Sequence, residues 1–256
     1  MNLPKVILKI LYVLLLTALL LGVPRLAAMT ADQFDYTAID PDGAFAWRSV
    51  RHIVQGSIIL ALMVIISRVS GIQFGFGWGD RRVGWFYVRV IALVYLGFIV
   101  VSILIMLLTR SFQGFPYPLN TRNIIGHFGF LALLTGPSEE LIFRAFAMTM
   151  LSLMITGVVV PGDTGFGRVI LKIFGGEISI VNLIAAVIFG LAHIRFTFFP
   201  FSAEFIMGQV IFSVLIGLFY GVCYERSGSM IYPMFMHSIV NVGTVGVSLI
   251  ASVIIG

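Results

Sequence analysis

The stretch VIALVYLGFIVVSILIMLLT, residues 90–109, contains no charged side chain. At a rise of about 1.5 Å per residue, a helix of this length crosses the roughly 30 Å hydrocarbon core of a bilayer. In lipid such a segment has to be helical, because no water is present to satisfy open backbone groups. These residues therefore predict a transmembrane helix.

The same pattern recurs along the whole chain. We predict spans at about 7–24, 53–68, 90–109, 124–150, 179–198, 206–224 and 230–254. The fold class predicted is an all-α polytopic membrane protein of about seven transmembrane helices, or eight if 124–136 and 138–158 cross separately. We expect two parts: N-terminal transmembrane helices and loops over 1–123, and a catalytic core over 124–256 formed by the four C-terminal helices.

Composition supports the membrane assignment and excludes other classes. The 256 residues are 59% hydrophobic and 11% charged, against about 45–50% and 25% in soluble domains. A soluble enzyme and a disordered chain are thereby excluded. The net charge of +5 comes from cations scattered over short loops, so no nucleic-acid partner is expected. The single cysteine, Cys223, excludes an intramolecular disulfide and a cysteine-based metal cluster.

Charges near the spans predict the orientation. With a cytoplasmic N-terminus, the inner loops carry more Lys and Arg than the outer loops, which is the preferred distribution. We expect an integral multi-pass protein of a prokaryotic plasma membrane, with the lipid bilayer as its surrounding partner. Arg25 and Leu26 disfavour cleavage after the first span, which we interpret as a signal anchor. Residues 168–174 predict a short amphipathic helix at the membrane interface.

The segment PSEELIFR, residues 137–144, places three ionisable groups inside a span, where such groups are costly and mark function. Adjacent helical residues point about 100° apart, so Glu139 and Glu140 face different directions. Glu140 and Arg144 are i,i+4 and can pair. Glu139 is then free to act as a general base, helped by a kink at Pro137. An ion network that only locks helices together is the alternative.

Two further patterns place polar side chains inside spans. Phe189 shares a helix face with His193, and His237 shares one with Asn241, because both pairs are i,i+4. Two stacked hydrogen-bonding groups can stabilise a single oxyanion, although a helix–helix hydrogen bond explains them too. Counted from the helix ends, these groups and Glu139 fall in one layer of the bilayer.

The remaining histidines and a metal site are the open points. His52 and His127 lie near the ends of their spans, and we interpret both as structural. Glu139, His193 and His237 suffice in number for a zinc site. The His-Glu-x-x-His pattern of common zinc proteases is absent from the sequence, which disfavours zinc.

Taken together, three motifs resemble those of the CPBP family, the CAAX prenyl endopeptidases and their bacterial relatives, also called Abi proteins. They are Glu139-Glu140-x-x-x-Arg144, Phe189-x-x-x-His193 and His237-x-x-x-Asn241. Their order and spacing look like the family, and the resemblance covers about 124–245. Ala145 stands where a Gly commonly follows the Arg, which changes no chemistry.

The resemblance implies a metal-independent glutamate intramembrane protease that needs no cofactor and cleaves a peptide or a membrane protein. The first Glu would activate water, helped by the His of the second motif, and the third motif would stabilise the oxyanion. The residues so implied are catalytic Glu139, His193, His237 and Asn241, with Glu140 and Arg144 in support. The alternative is a non-catalytic membrane scaffold, or an immunity or accessory protein. The sequence specifies no oligomeric state.

Overall fold

The protein is an all-α polytopic membrane protein with a few short strands. The computed structural model describes residues 3–157, 169–173, 176–198 and 201–254. Its helices are α1 (Leu3–Ala31), α2 (Ala46–Ser70), α3 (Arg81–Thr109), α4 (Thr121–Phe130), α5 (Gly136–Glu140), α6 (Thr149–Thr156), α7 (Ile180–Leu191), α8 (Met207–Ser227) and α9 (Ile231–Ile254). Two π-helical segments cover Leu131–Thr135 and Leu141–Met148. The strands are β1 (Val169–Ile173), β2 (Gly176–Ser179), β3 (Arg195–Phe198) and β4 (Phe201–Glu204).

Five helices of the described residues are long and apolar enough to cross a membrane: α1, α2, α3, α8 and α9. They confirm five of the predicted spans, but the total of seven is not confirmed. Helix α7 has 12 residues, or about 18 Å, which is too short for a full crossing. The span predicted over 179–198 is shorter because β3 and β4 form an antiparallel hairpin soon after α7.

The carboxylate pair lies in a continuous helical run from Thr121 to Thr156. Helices α4, α5 and α6 follow one another without a break, joined by the two π-helical segments. This agrees with a single span over 124–150 and not with separate segments meeting at residue 137. Pro137 is the second residue of α5 and lies inside the continuous run, where it has no N–H to donate to the preceding turn. The expected distortion therefore takes the form of a π-helical segment just before Pro137.

The segment after this run was predicted wrongly. Instead of an amphipathic helix over 168–174, the structure has strand β1, which pairs antiparallel with β2. Val169, Ile170 and Ile173 are β-branched and favour a strand once a neighbouring strand satisfies the backbone. Residues 168 and 174 lie outside the described residues.

Helices α5 and α9 approach closely at Gly136. A Cβ atom on this residue would lie 2.8 Å from Ser238 Oγ and 2.9 Å from the Met234 carbonyl oxygen. Neither distance leaves room for a larger side chain. Small residues allow this kind of close helix contact in membranes. The contact brings the residues after Gly136 within reach of the side chains of α9.

The hydrophobic core joins the two halves of the chain. Leu20 of α1 and Ile59 of α2 belong to one buried cluster with Ile142 and Leu151 of the long helical run. The N-terminal helices thus pack directly on the part that carries the motifs. The division at residue 124 stays a prediction.

The first turn of α2 is capped by Asp40. Its Oδ1 accepts from the Ala44 N–H at 2.8 Å, and its Oδ2 accepts from the N–H groups of Phe45 and Ala46 at 2.7 Å each. Burial raises the pKa of this carboxyl, but the three N–H groups and the Arg122 charge outweigh burial, so its pKa lies below the usual value. The cap fixes where α2 begins.

We expect Asp40→Ala to lower the free energy of unfolding by about 1–2 kcal/mol, as loss of a helix cap does. Because the pKa of Asp40 is lower in the folded state, its contribution is complete above the unfolded-state pKa of about 3.9. It is lost as the pH falls through the folded-state value. Thermal unfolding in detergent as a function of pH measures both effects. The control is Asp35→Ala, since exposed Asp35 accepts one N–H, from Thr37. Equal losses in the two variants would contradict the capping role.

Candidate active site

Glu140 is a fully buried carboxylate, with 0% of its surface exposed. Its Oε2 lies 3.1 Å from Nε of Arg144, which is 1% exposed. The predicted i,i+4 pairing is therefore confirmed. The Arg144 guanidinium also donates from Nη2 to the Gly217 carbonyl at 3.3 Å. The positive charge is thus held between its own helix and α8.

His237 of α9 contacts both carboxylates. Its Nδ1 lies 2.7 Å from Glu140 Oε1, and its Nε2 lies 3.7 Å from Glu139 Oε2. An ionised carboxylate can only accept hydrogen bonds, so in the 2.7 Å contact Nδ1 donates to Glu140. The Glu140–His237 bond was missed by the sequence analysis, since the two residues are 97 positions apart and no local pattern joins them.

Glu139 differs from Glu140 in its surroundings. Its side chain is 21% exposed and forms no hydrogen bond with a described residue. It lines a cavity of about 560 Å³. The polar side chains around this cavity are Arg25, Arg51, His52, Gln55, Glu139, His193, Arg195 and Gln209. The two adjacent carboxylates therefore have separate environments, as the helix geometry predicted.

His193 stands at the same cavity, just after the end of α7. Its Nδ1 lies 2.9 Å from the Phe189 carbonyl oxygen. A carbonyl can only accept, so Nδ1 carries the hydrogen, and in a neutral ring Nε2 is left as an acceptor. His193 is close enough to act electrostatically on Glu139. The cavity wall thus carries two groups able to accept a proton or a hydrogen bond.

Phe189 fills the space between the charged groups. Its ring lies 4.5 Å from Arg144 Cζ, and its centroid lies 5.0 Å and 5.9 Å from those of His193 and His237. A cation over an aromatic face is stabilised by the ring electrons. Gly217 makes room for this arrangement, because a Cβ there would lie 3.1 Å from the Phe189 ring. The Phe of the second motif therefore packs against all three motifs.

Asn241 lies one turn after His237 on α9. Its Nδ2 is buried and has no hydrogen-bond partner among the described residues. It is not one of the residues that line the cavity. The structure thus places Glu139 and His193 on the cavity and His237 against Glu139, whereas neither His237 nor Asn241 is among the residues that line the cavity.

A zinc site requires three ligand side chains that lie close together. Within residues 3–157, 169–173, 176–198 and 201–254, no three His, Cys, Asp or Glu side chains are grouped so as to hold a metal ion. Nδ1 of His193 is bonded to a carbonyl oxygen and Nδ1 of His237 to Glu140, which leaves Nε2 of each ring as the atom that a metal ion would contact.

The N-terminal half adds a polar cluster to the site. His52 of α2 lies 2.7 Å from Ser138 Oγ through its Nδ1, and Gln55 Nε2 lies 3.0 Å from both atoms. The sequence alone indicates a structural role for His52, and the i,i+3 spacing of His52 and Gln55 is the signal in it that points to the polar cluster. His127 instead lies 2.8 Å from the Ala44 carbonyl oxygen, away from the cavity lining, in agreement with a structural role.

An integral membrane protein that gathers carboxylates, an arginine and histidines around a cavity has a polar site within its helices. Residues 121–243 match the family model described as type II CAAX prenyl endopeptidase Rce1-like. The match covers just under half of the chain and supports the resemblance to the CAAX protease (CPBP) family that the three motifs indicated. The general activity of the family is that of an intramembrane CAAX-type endopeptidase. No curated protein and no solved structure matches the chain.

We expect Glu140→Gln and Arg144→Met each to destabilise the protein by about 3–5 kcal/mol, because each leaves a buried charge without its partner. The double variant removes both charges and should recover part of the loss. Thermal unfolding in detergent of the four proteins measures the coupling. A double variant no more stable than the weaker single variant would disprove the pairing.

Proposed function

We propose that the protein hydrolyses a peptide bond within the membrane, with Glu139 as the general base and without a metal ion. The observation that supports this most is the contrast between two adjacent carboxylates. Glu140 is fully buried between Arg144 and His237, whereas Glu139 is 21% exposed, lines the cavity and has a single longer contact of 3.7 Å to His237 Nε2. Of the two carboxylates, only Glu139 can reach water and substrate in the cavity, which a general base has to do.

In the proposed reaction, a water molecule in the cavity gives a proton to the Glu139 carboxylate as its oxygen bonds to the peptide carbonyl carbon. The free Nε2 of His193 accepts a hydrogen bond from the other O–H of this water and orients the molecule, and that hydrogen stays on the oxygen. The carbonyl π pair moves to the oxygen, forming a tetrahedral oxyanion. Glu139 then returns its proton to the leaving nitrogen as the C–N bond breaks.

His237 and Asn241 would stabilise the oxyanion. This role requires a hydrogen on both ring nitrogens of His237, with Nδ1 donating to Glu140 and Nε2–H donating to the oxyanion. Asn241 offers a buried donor that has no partner among the described residues. Such an orphan costs about 1–3 kcal/mol. Seven other buried side-chain atoms of the described residues also lack a hydrogen-bond partner, so turnover is what separates the enzyme from the scaffold alternative.

The proposed substrate is a peptide or a membrane-protein segment that enters the cavity from the bilayer or from its surface. We propose an N-terminus in the cytoplasm of a prokaryote, on the basis of the loop charges. Reporter fusions at the N-terminus and in the loop between α1 and α2 would lie on opposite sides of the membrane. Fusions that report the same side would contradict this orientation.

Glu139→Gln should abolish peptide cleavage with little change in the unfolding temperature, since it removes the base and preserves the side-chain shape. The measurement compares cleavage products from membranes that contain equal amounts of wild-type and variant protein. Asp35→Asn, remote in sequence and exposed, serves as the matched control. Full activity of Glu139→Gln would overturn the assignment of the base.

His237→Ala and Asn241→Ala should each lower kcat by about 10²–10³, the usual cost of one oxyanion donor. KM should change little, because the oxyanion develops only in the transition state. Steady-state kinetics on a cleaved peptide separate the two parameters. If Asn241→Ala only melts earlier and the wild-type protein cleaves nothing, the scaffold alternative is favoured.

Activity should survive treatment with a strong chelator, because proton transfer to Glu139 requires no Lewis acid. The test measures cleavage by purified protein before and after chelation and dialysis, with zinc added back. Activity lost on chelation and restored by zinc would replace this mechanism by a zinc site at Glu139, His193 and His237.

A further inference from the structure

His52 is placed at the proposed site by a helix outside the matched region. It belongs to α2, whereas the family match begins at residue 121. The residue is 6% exposed and lines the same cavity as Glu139. Its ring packs edge-on against Phe130 with 5.1 Å between the centroids. The ring plane is therefore fixed.

Hydrogen bonding also fixes the position of the ring hydrogen. The Nε2 amide of Gln55 lies 3.0 Å from His52 Nδ1 and 3.0 Å from Ser138 Oγ. An amide nitrogen only donates, so both atoms accept. Ser138 Oγ has two acceptors within reach of its single hydrogen, His52 Nδ1 at 2.7 Å and the Thr135 carbonyl oxygen at 3.2 Å, and Nδ1 is the nearer. A neutral His52 ring then carries its hydrogen on Nε2, for which the described residues provide no hydrogen-bond partner.

The two histidines of the cavity therefore have opposite roles. His193 carries its hydrogen on Nδ1 and presents an acceptor. His52 carries its hydrogen on Nε2 and presents a donor. Glu139 adds a second acceptor. A peptide in this cavity meets acceptors that suit water and peptide N–H groups, and His52 is a buried neutral donor that suits a peptide carbonyl, beside the charged arginines of the cavity wall.

We propose that His52 Nε2–H donates a hydrogen bond to a substrate carbonyl oxygen next to the scissile bond, and that Gln55 and Ser138 hold it in this tautomer. His52 is then a substrate-binding residue supplied by the N-terminal half of the chain. The proposal rests on the proposed function. This carbonyl does not change charge in the reaction. Loss of the hydrogen bond from His52 therefore weakens binding of the ground state and of the transition state equally, and the effect appears as a higher KM.

Two substitutions separate this role from a structural one. Asn at position 52 keeps a polar group at the level of Nδ1, facing Ser138, but offers no donor to the cavity. Gln keeps a donor at the level of Nε2. We expect His52→Asn to raise KM by about 5–10-fold, the effect of one hydrogen bond, with kcat little changed. We expect His52→Gln to stay close to wild type.

The assay uses purified full-length protein in detergent and internally quenched peptides with and without a farnesylated cysteine. His127→Asn is the matched control, since His127 bonds to the Ala44 carbonyl and does not line the cavity. Wild-type cleavage with an unchanged KM for His52→Asn overturns this proposal alone, as does a larger loss for His52→Gln than for His52→Asn. A wild-type protein that cleaves neither peptide overturns the proposed function and this proposal together.

Nitrogen-15 NMR tests the tautomer without any need for activity. The chain has four histidines, so replacing each in turn assigns the ring signals of histidine-labelled protein. We expect hydrogen on Nε2 of His52 and on Nδ1 of His193. A rotated Gln55 amide would present its oxygen to His52 and move the ring hydrogen to Nδ1. That signal would overturn the proposal.

Discussion

A carboxylate with no access to water imposes the main constraint on this protein. An ion the size of the Glu140 side chain loses many kcal/mol of hydration on burial, so charge partners and hydrogen bonds have to surround it. Arg144 comes from the same helical run, and His237 comes from α9. These two contacts fix α9 against the run. Since Glu139 precedes Glu140 directly, they also fix the direction in which Glu139 points.

Close helix packing makes these contacts feasible. Apolar burial drives helix association weakly in lipid, so helices associate through tight contacts and polar bonds. Gly136 brings α5 onto α9, and Gly217 admits Phe189 and Arg144 between α7 and α8. The protein therefore combines small residues at the helix contacts with charged residues between them. Loss of either kind would separate the motifs that the sequence places far apart.

Local spacing rules predicted the features that depend on one helix. The five long helices follow from hydrophobic length, and the Glu140–Arg144 pair follows from i,i+4 geometry. Contacts between distant segments had no such signal: His237 meets Glu140, and His52 meets Ser138, only because α9 and α2 pack on the long run. The shortness of α7 depends on strand pairing. Hydropathy along the sequence does not indicate strand pairing, because the backbone hydrogen bonds of β3 are formed with β4, a later segment of the chain.

The two π-helical segments on either side of α5 constrain the length of the chain as well as its residues. A π-helical turn bonds i to i+5 and so holds an extra residue compared with an α-helical turn. Deleting one residue from Leu141–Met148 would remove the extra residue and return this stretch to α-helical pitch. The widened turn that contains Phe143 and Arg144 would then be lost even if both glutamates and α6 were kept. Related chains that share the geometry should therefore show no insertions or deletions in this segment, even where its side chains differ.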